Sequence, residues 1–437
     1  MAKHLFGTDG IRGVAGEYPL DDATVYAAGR ALGELAARLG PNPRVLIGMD
    51  TRESGPRLAQ QMAVGLERAG VPCEFAGVLP TPAVAYLTAS GPFAAGVMIS
   101  ASHNPYRDNG IKVFAHSGFK LPDEQEAEVE AGIERLRDGA ATPGSLREAP
   151  SLVDSYVNHL AACVGGELPR GRLVADCANG AAFRIAPLLF ERLGLDAEII
   201  AAHPDGRNIN LDCGSLHLDG LRRRVLESGA GLGVAFDGDA DRALFVAASG
   251  REVNGDGVLW MAARHSGVKL VVATTMSNLG LERSLAEQGV ALARTPVGDK
   301  YVLEEMVRRD ALLGGEQSGH IIFRRHATTG DGLLTALQVL EILGAAGRTL
   351  DELVAGLPAY PQTIRNVPVR SRPPLEGIPA LDEALRSSRQ ALAGRGRIIV
   401  RYSGTEPLAR VMVEAQTQEE VNLHSARLAQ VLAEQLG

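Results

Sequence analysis

RVLIGMDTR, Arg44 to Arg52, is the stretch from which the fold of this 437-residue chain can be read. A basic residue leads into the run VLIGM, which then breaks on Asp50 and Thr51, and a helical pattern, Leu58 to Ala69, follows. A strand without polar alternation is one buried on both faces, the condition of a parallel sheet covered by helices. Two later stretches repeat the arrangement. RLVADCANG starts at Arg172 and precedes a helical pattern over Ala182–Leu193; KLVVATTMSN starts at Lys269 and precedes one over Leu279–Gln288. A glycine and another apolar strand come next, as in GLDAEII and GVALART. Strands alternating with helices predict βαβ units, and three copies at similar offsets predict a repeated domain.

The rest of the chain divides around these copies. DGAATPGSLREAP, Asp138–Pro150, has no periodicity, and YPQTIRNVPVRSRPPLEGIP, Tyr360–Pro379, is rich in proline, so both read as linkers. Beyond the second, a helix, the strands GRIIVRY and ARVMVEA and a long helix from Gln418 to Gln435 predict a different, smaller domain. The expected fold class is α/β: three similar mixed α/β domains with largely parallel sheets over 1–150, 151–250 and 251–365, and a C-terminal α+β domain over 366–437. Ligands of such sheets bind beyond the carboxyl ends of the strands. Three similar domains would therefore aim one loop each, at Ser102, Asp237 and Glu316, toward a shared central cleft.

Composition narrows the function. The chain is 45% hydrophobic and 22% charged, as soluble globular proteins are. Aromatics at 4% leave little for stacking on single-stranded nucleic acid, and a net charge of −8 opposes a duplex-binding surface. No apolar run approaches the roughly 18 residues of a membrane helix, and MAKHLFGTDG holds too short an apolar stretch for a signal peptide. The scattered cysteines, Cys73, Cys163, Cys177 and Cys213, fit a reducing compartment. The expectation is a cytoplasmic protein with neither a nucleic-acid nor a membrane partner. Its oligomeric state stays open, a homodimer included.

Five loops carry the chemistry. MISASHNP, Met98–Pro105, leaves a strand on two serines, a histidine and an asparagine, and Pro105 bars its predecessor from the helical region, so Ser102 stands on a fixed loop. Ser100, at strand spacing, shares its face. FDGDADR, Phe236–Arg242, sets Asp237, Asp239 and Asp241 close together after an apolar strand. Such carboxylates repel unless a cation joins them, and a hard divalent ion suits oxygen ligands. A calcium loop starting at Asp237 fails, because its sixth and twelfth places hold Arg242 and Ala248. A serine facing a magnesium site points to phosphoryl transfer. An aspartyl-phosphate phosphatase with Asp237 as nucleophile survives on local sequence but leaves the serine loop without a task. GGEQSGH, Gly314–His320, lets short side chains approach a polyhydroxylated ligand. RYSGTEP, Arg401–Pro407, has the N–H groups, hydroxyls and guanidinium of a phosphate nest, with Arg410 on the next strand. FGTDGIRG, Phe6–Gly13, supplies Arg12, and Lys112 lies on the strand after the serine loop.

In this order the motifs TDGIRG, SASHNP, DGDADR, GEQSGH and SGTEP resemble the α-D-phosphohexomutase superfamily over essentially the whole chain. LFGTDGIRG, VGDKYVLEEM, GGEQSGH and SGTEPLARVMVEA resemble its amino-sugar branch. The resemblance implies four domains around a central cleft and a phosphoserine at Ser102. It implies magnesium held by Asp237, Asp239, Asp241 and the Ser102 phosphate, with Arg242 and His103 at that phosphate. It places Glu316 and Ser318 on the sugar hydroxyls, and Arg401, Ser403, Gly404, Thr405 and Arg410 on the non-reacting phosphate. Arg12, Lys112 and His320 fall where the family has phosphate contacts and proton transfer. Tyr402 departs from the usual residue at the rim of the phosphate loop. The implied substrate is a hexosamine phosphate, isomerised between its 6- and 1-phosphates through glucosamine (or glucose) 1,6-bisphosphate, which also activates the enzyme. The glucose and mannose branches and a metal-dependent sugar phosphatase are the alternatives.

Overall fold

The computed structural model describes residues 5–7, 9–39, 43–137, 146–403 and 407–437. Its first sheet holds β1 (Ile11–Val14), β2 (Val45–Met49), β3 (Cys73–Val78), β4 (Ala95–Ile99) and β5 (Asp108–Ala115), in the order β1-β5-β4-β2-β3. β2 runs parallel to both β3 and β4; β5 returns antiparallel to β4, and β1 is antiparallel to β5. Parallel neighbours need a helical crossover, and the helices Gly55–Arg68 and Thr81–Ser90 supply it. Every residue of β4 and all but the last of β2 are buried, which explains their unbroken apolar runs. Gly55–Arg68 buries Leu58, Ala59, Met62, Ala63 and Leu66, the stripe of a helix lying on a sheet. It meets the helix Asp22–Ala36 at closely apposed glycines: a Cβ on Gly65 would lie 2.3 Å from Tyr26 O.

The second sheet is β6 (Leu173–Asp176), β7 (Ala197–Ile200), β8 (Leu232–Phe236), β9 (Ala243–Ala247) and β10 (Glu252–Val253), ordered β10-β9-β8-β6-β7. The third is β11 (Leu270–Thr274), β12 (Ala291–Thr295), β13 (Leu313–Gly315) and β14 (Ile321–Phe323), ordered β12-β11-β13-β14. The opening strand of each copy, β2, β6 or β11, lies between two parallel neighbours. One of those neighbours, β4, β8 or β13, ends in a polar loop and returns as an antiparallel strand. The three polar loops thus leave equivalent strands, as the repeat predicts.

The C-terminal sheet is all antiparallel: β15 (Gln362–Pro368), β16 (Arg397–Tyr402) and β17 (Leu408–Glu414), ordered β15-β17-β16. The helices Pro379–Leu392 and Gln418–Leu436 bury Leu381, Leu392, Leu428 and Leu432 in its core. Among the described residues no helix is long and apolar enough to cross a membrane.

The expected divisions need three corrections. β10 pairs with β9 and carries the second sheet across 250/251. Gln362–Pro368, inside the stretch read as a linker and across 365/366, is strand β15; its Pro368 stands at the end of an edge strand, where a missing N–H is tolerated. The chain also forms two compact units, Met1–Met276 with Gly289–Gly356, and Ser277–Gln288 with Leu357–Gly437. The helix Leu279–Glu287, in sequence the crossover from β11 to β12, thus belongs with the C-terminal unit. Leu279 N–H donates to Glu414 (3.0 Å), Asn278 Nδ2 to Tyr360 O (2.9 Å) and Arg397 Nη2 to Ser277 O (2.9 Å). Of the stretch 138–150, residues 138–145 lie outside the described residues, and Glu148 bridges to Phe75 of β3.

Candidate active site

β4 ends at Ile99 and the chain turns sharply. Ser102 adopts a left-handed φ of 53°, which side chains other than glycine's avoid. Its N–H donates to Ser100 Oγ (2.9 Å), and its Oγ donates to Asp237 Oδ2 (2.6 Å) and stands 3.3 Å from His103 Nδ1. Ser100 is turned to a different partner, donating to Asp50 Oδ2 at 2.6 Å, so the serines do not share a face. Burial, with Arg242 and Arg12 nearby, lowers the His103 pKa to about 4 and leaves the ring neutral at pH 7.

The loop after β8 meets the serine loop backbone to backbone. A Cβ on Gly238 would lie 2.5 Å from Ser102 O, so only glycine fits there. Asp237, Asp239 and Asp241 are buried, each offering a carboxylate oxygen within 4.8 Å of the others. Asp239 Oδ1 and Asp241 Oδ1 are buried without a hydrogen-bond partner. Three hard oxygen donors, two with an unused buried atom, fit a divalent cation such as magnesium. Burial, Asp241 and Asp239 push the Asp237 pKa well above the usual carboxylate range. Burial works the same way on Asp241, but Lys112, His320 and Arg242 outweigh it and hold Asp241 well below that range.

Cations surround the triad. Lys112 Nζ, on β5, lies 2.8 Å from Asp239 Oδ2, 3.0 Å from Asp9 Oδ2 and 3.5 Å from Asp241 Oδ2. Burial opposes its charge, yet Asp239, Asp9 and Asp241 raise its pKa well above the ordinary lysine value. Arg12 pairs with Asp9, and Arg242 Nε lies 3.7 Å from Asp241 and 4.0 Å from Asp237. Burial also opposes the Arg242 charge, which Asp241, Asp237 and Glu316 more than restore.

From the third domain, Glu316 accepts from Gly298 N–H at 3.2 Å, and the Ser318 Oγ is buried without a partner. His320 puts Nδ1 3.5 Å from Asp241 Oδ2, while Gly330 N–H donates to Nε2 at 3.0 Å. Burial lowers the His320 pKa, but Asp241, Asp299 and Glu316 carry it up to about 9. The Gly330 contact favours the other state: Nε2 cannot accept that N–H and hold a proton, so we take the ring as neutral with its proton on Nδ1. Arg12, His103, Asp241, Arg242, Glu316 and His320 all line one cleft of about 440 Å³.

The remaining expected contacts lie in the C-terminal unit. Arg401 on β16 stands directly opposite Arg410 on β17. Like charges in that register repel, and an anion between them would relieve the repulsion. Ser403 is buried, its N–H donating to Leu408 O at 2.8 Å. Gly404 and Thr405 lie outside the described residues.

Several residues in and behind the cleft were not expected. Asp9 and Asp299 share Lys120, at 2.7 and 2.6 Å. Thr81 donates its N–H to Asp239 O (2.9 Å) and its hydroxyl to the Asp239 carboxylate. Arg52 and Asn210 donate to the carbonyls of the serine loop. Asp9 and Asp299 stood inside quoted motifs, TDGIRG and VGDK, and Arg52 closed RVLIGMDTR; Asn210 and Thr81 carried no local signal.

Four Phosphoglucomutase/phosphomannomutase family descriptions match in chain order: alpha/beta/alpha domain I over 3–139, domain II over 154–250, domain III over 254–360 and the C-terminal domain over 364–431. A phosphoglucosamine mutase of Solibacter usitatus is 55% identical over the whole of both chains. One of Deinococcus radiodurans is 47% identical, with 99% of this chain and 98% of that one covered. A solved phosphoglucomutase/phosphomannomutase family protein of Burkholderia thailandensis matches with a TM-score of 0.80 at 26% identity, over 98% of this chain and 97% of that one. The chain belongs to the phosphoglucomutase/phosphomannomutase family, the α-D-phosphohexomutases. Within it, the chain is similar along its full length to bacterial phosphoglucosamine mutases.

Proposed function

We propose that the chain is a phosphoglucosamine mutase, interconverting glucosamine 6-phosphate and glucosamine 1-phosphate in the cytoplasm. The observation that carries this reading is Ser102 Oγ, 2.6 Å from Asp237 in a buried aspartate triad beside the cleft. Phosphorylated Ser102 gives its phosphoryl group to the free sugar hydroxyl: the Ser102 Oγ–P bond breaks, a sugar O–P bond forms, and the hydroxyl's proton ends on the freed Ser102 Oγ. The resulting 1,6-bisphosphate turns over and returns its other phosphoryl group to Ser102 Oγ. For that return the Oγ proton has two acceptors in reach, Asp237 Oδ2 at 2.6 Å and neutral His103 Nδ1 at 3.3 Å.

Magnesium held by Asp237, Asp239, Asp241 and the Ser102 phosphate would offset the charge gathered there. Lys112 and Arg12 remain cationic and offer contacts to the phosphate rather than a base; Arg242 does the same. His320, with Nδ1–H toward Asp241, orients that carboxylate. Glu316 accepts from the sugar, and its carboxylate suits the ammonium of an amino sugar; Ser318 stands beside it. Arg401, Ser403, Gly404, Thr405 and Arg410 hold the phosphate that does not react.

The test incubates purified protein with magnesium, a trace of glucose 1,6-bisphosphate and glucosamine 6-phosphate, and measures both glucosamine 1-phosphate and free phosphate. Isomer without stoichiometric phosphate is expected, with kcat/KM roughly tenfold or more above that for glucose 6-phosphate. Free phosphate as the main product would make the chain a phosphatase. Equal efficiency on both sugars would move it to the glucose or mannose branch.

A further inference from the structure

Arg52 is fully buried at the end of β2 and does not line the cleft. A guanidinium has five N–H donors, and this one uses all five. Nε donates to Asp50 Oδ2 (2.8 Å), Nη1 to Asp108 O (3.0 Å) and to Pro105 O, and Nη2 to Ser102 O (2.9 Å) and Asn104 O (2.8 Å). Four of the five acceptors are main-chain carbonyls, three of them in the serine loop and the fourth that of Asp108, where β5 begins. From the second domain, Asn210 Nδ2 donates to two of the same carbonyls, Ser102 O at 2.9 Å and Asn104 O at 3.3 Å.

The N–H side of the loop is held by the same cluster. Asp50, paired with Arg52, accepts from Ser100 Oγ (2.6 Å), and Ser100 Oγ accepts from Ser102 N–H (2.9 Å). Both main-chain polar groups of residue 102 are therefore clamped, while its hydroxyl stays free to face Asp237. The clamp opposes a specific tendency: Ser102 sits at φ 53°, and without the bonds to its carbonyl the chain would relax toward negative φ and swing Oγ off the triad.

We propose that Arg52 and Asn210 are positioning residues for phosphoryl transfer, acting through the Ser102 carbonyl to hold Oγ against the Asp237–Asp239–Asp241 triad. The inference rests on the reading of Ser102 as the phosphoryl carrier. Neither residue touches the reacting atoms, so each acts on the rate of the step and not on the grip on the sugar.

Two variants test it. Arg52→Lys keeps a charge beside Asp50 but replaces a five-donor fork by three donors on one atom; Asn210→Ala removes one amide. Each is loaded with labelled glucose 1,6-bisphosphate, sites are counted from label on Ser102, and kcat and KM are measured per labelled site in saturating magnesium. The expected kcat per labelled site falls roughly 10–100-fold for Arg52→Lys and several-fold for Asn210→Ala, with KM within about twofold of wild type. A role confined to folding would lower Tm and the number of labelled sites while leaving kcat per labelled site at the wild-type value, and that result overturns the proposal. If Arg52→Lys yields no folded protein, Asn210→Ala decides alone, and its unchanged kcat overturns it equally. A wild-type protein that takes label on Ser102 yet makes no isomer would overturn the mutase reading instead; the positioning role is then read from the rate of labelling, slower in both variants.

Discussion

Asp237 stands where its own charge is least welcome, buried beside two further carboxylates with the Ser102 hydroxyl on one oxygen. A cation resolves that conflict, which makes the triad's oxygens more valuable to turnover than to folding. Asp239→Asn exchanges one hard ligand oxygen for an amide, and kcat is expected to fall roughly 10²–10³-fold with little change in Tm. A magnesium titration checks it, since near-normal turnover at saturating metal would remove Asp239 from the ligand set. The two serines of the loop make a sharper pair. Ser102→Ala should lose mutase turnover by roughly 10⁴-fold or more while keeping its melting temperature. Ser100→Ala loses the bond to buried Asp50 and the acceptor of Ser102 N–H, at a cost of about 1–3 kcal/mol in stability, and keeps a phosphorylatable Ser102 whose turnover should fall far less than that of Ser102→Ala. Intact mass and an activity assay on both variants separate nucleophile from support; activity lost only in Ser100→Ala would put the nucleophile at the wrong residue.

At the scale of elements, the helix Gly332–Ala346 braces the aspartate loop: Gly332 N–H donates to Ala240 O at 2.9 Å. Its cap, Asp331, accepts from Leu334 N–H (2.9 Å) and Tyr156 Oη (2.7 Å), and burial raises its pKa to about 6. The folded state thus binds this proton more tightly than the unfolded chain. The resulting stability is full below about pH 4 and lost as pH rises through about 6. Asp331→Asn keeps the cap without the charge and should gain roughly 1–3 kcal/mol relative to wild type between about pH 4.5 and pH 7, read from urea melts at both. Equal pH dependence in the two proteins would refute the assignment. These elements also mark what a linear string reveals. VLIGM, LVAD and LVVAT read as strands because burial on both faces leaves an apolar run, and the loops after β4, β8 and β13 read as chemistry because short polar residues crowd there. Gln362–Pro368 read as a linker because the prolines in and around it mask a strand whose pairing is supplied by β17, far along the chain. Arg52 read as mere repetition, since apart from Asp50 its partners are main-chain carbonyls, which every residue has.

For the whole molecule, the three-fold repeat was legible because each copy restates one local pattern, strand, helix and strand. The allegiance of the helix Leu279–Glu287 was not. Its sequence is that of any crossover, and its polar bonds reach residues more than seventy positions away, Tyr360 and Glu414 among them. Arg283 adds a bond to Tyr360 Oη at 2.8 Å and stacks on that ring at 5.1 Å.

That helix has a consequence for anyone who would dissect the protein. The chain enters the C-terminal unit at Ser277, leaves it at Gln288 and re-enters at Leu357, so neither unit is a contiguous piece of gene. A stop codon after Gly356 does not deliver the larger unit; it delivers that unit with a stranded helix whose Leu279 N–H has lost Glu414 and whose Asn278 and Arg283 have lost Tyr360. Such a truncate is expected to self-associate on size exclusion and to melt well below the full chain, whereas a graft replacing Ser277–Gln288 by a polar helix of the same length, long enough to carry the crossover between the parallel strands β11 and β12, should restore a monodisperse truncate. A well-behaved, equally stable 1–356 fragment would mean that the segment can find other company, and only then could the C-terminal unit be treated as a detachable module.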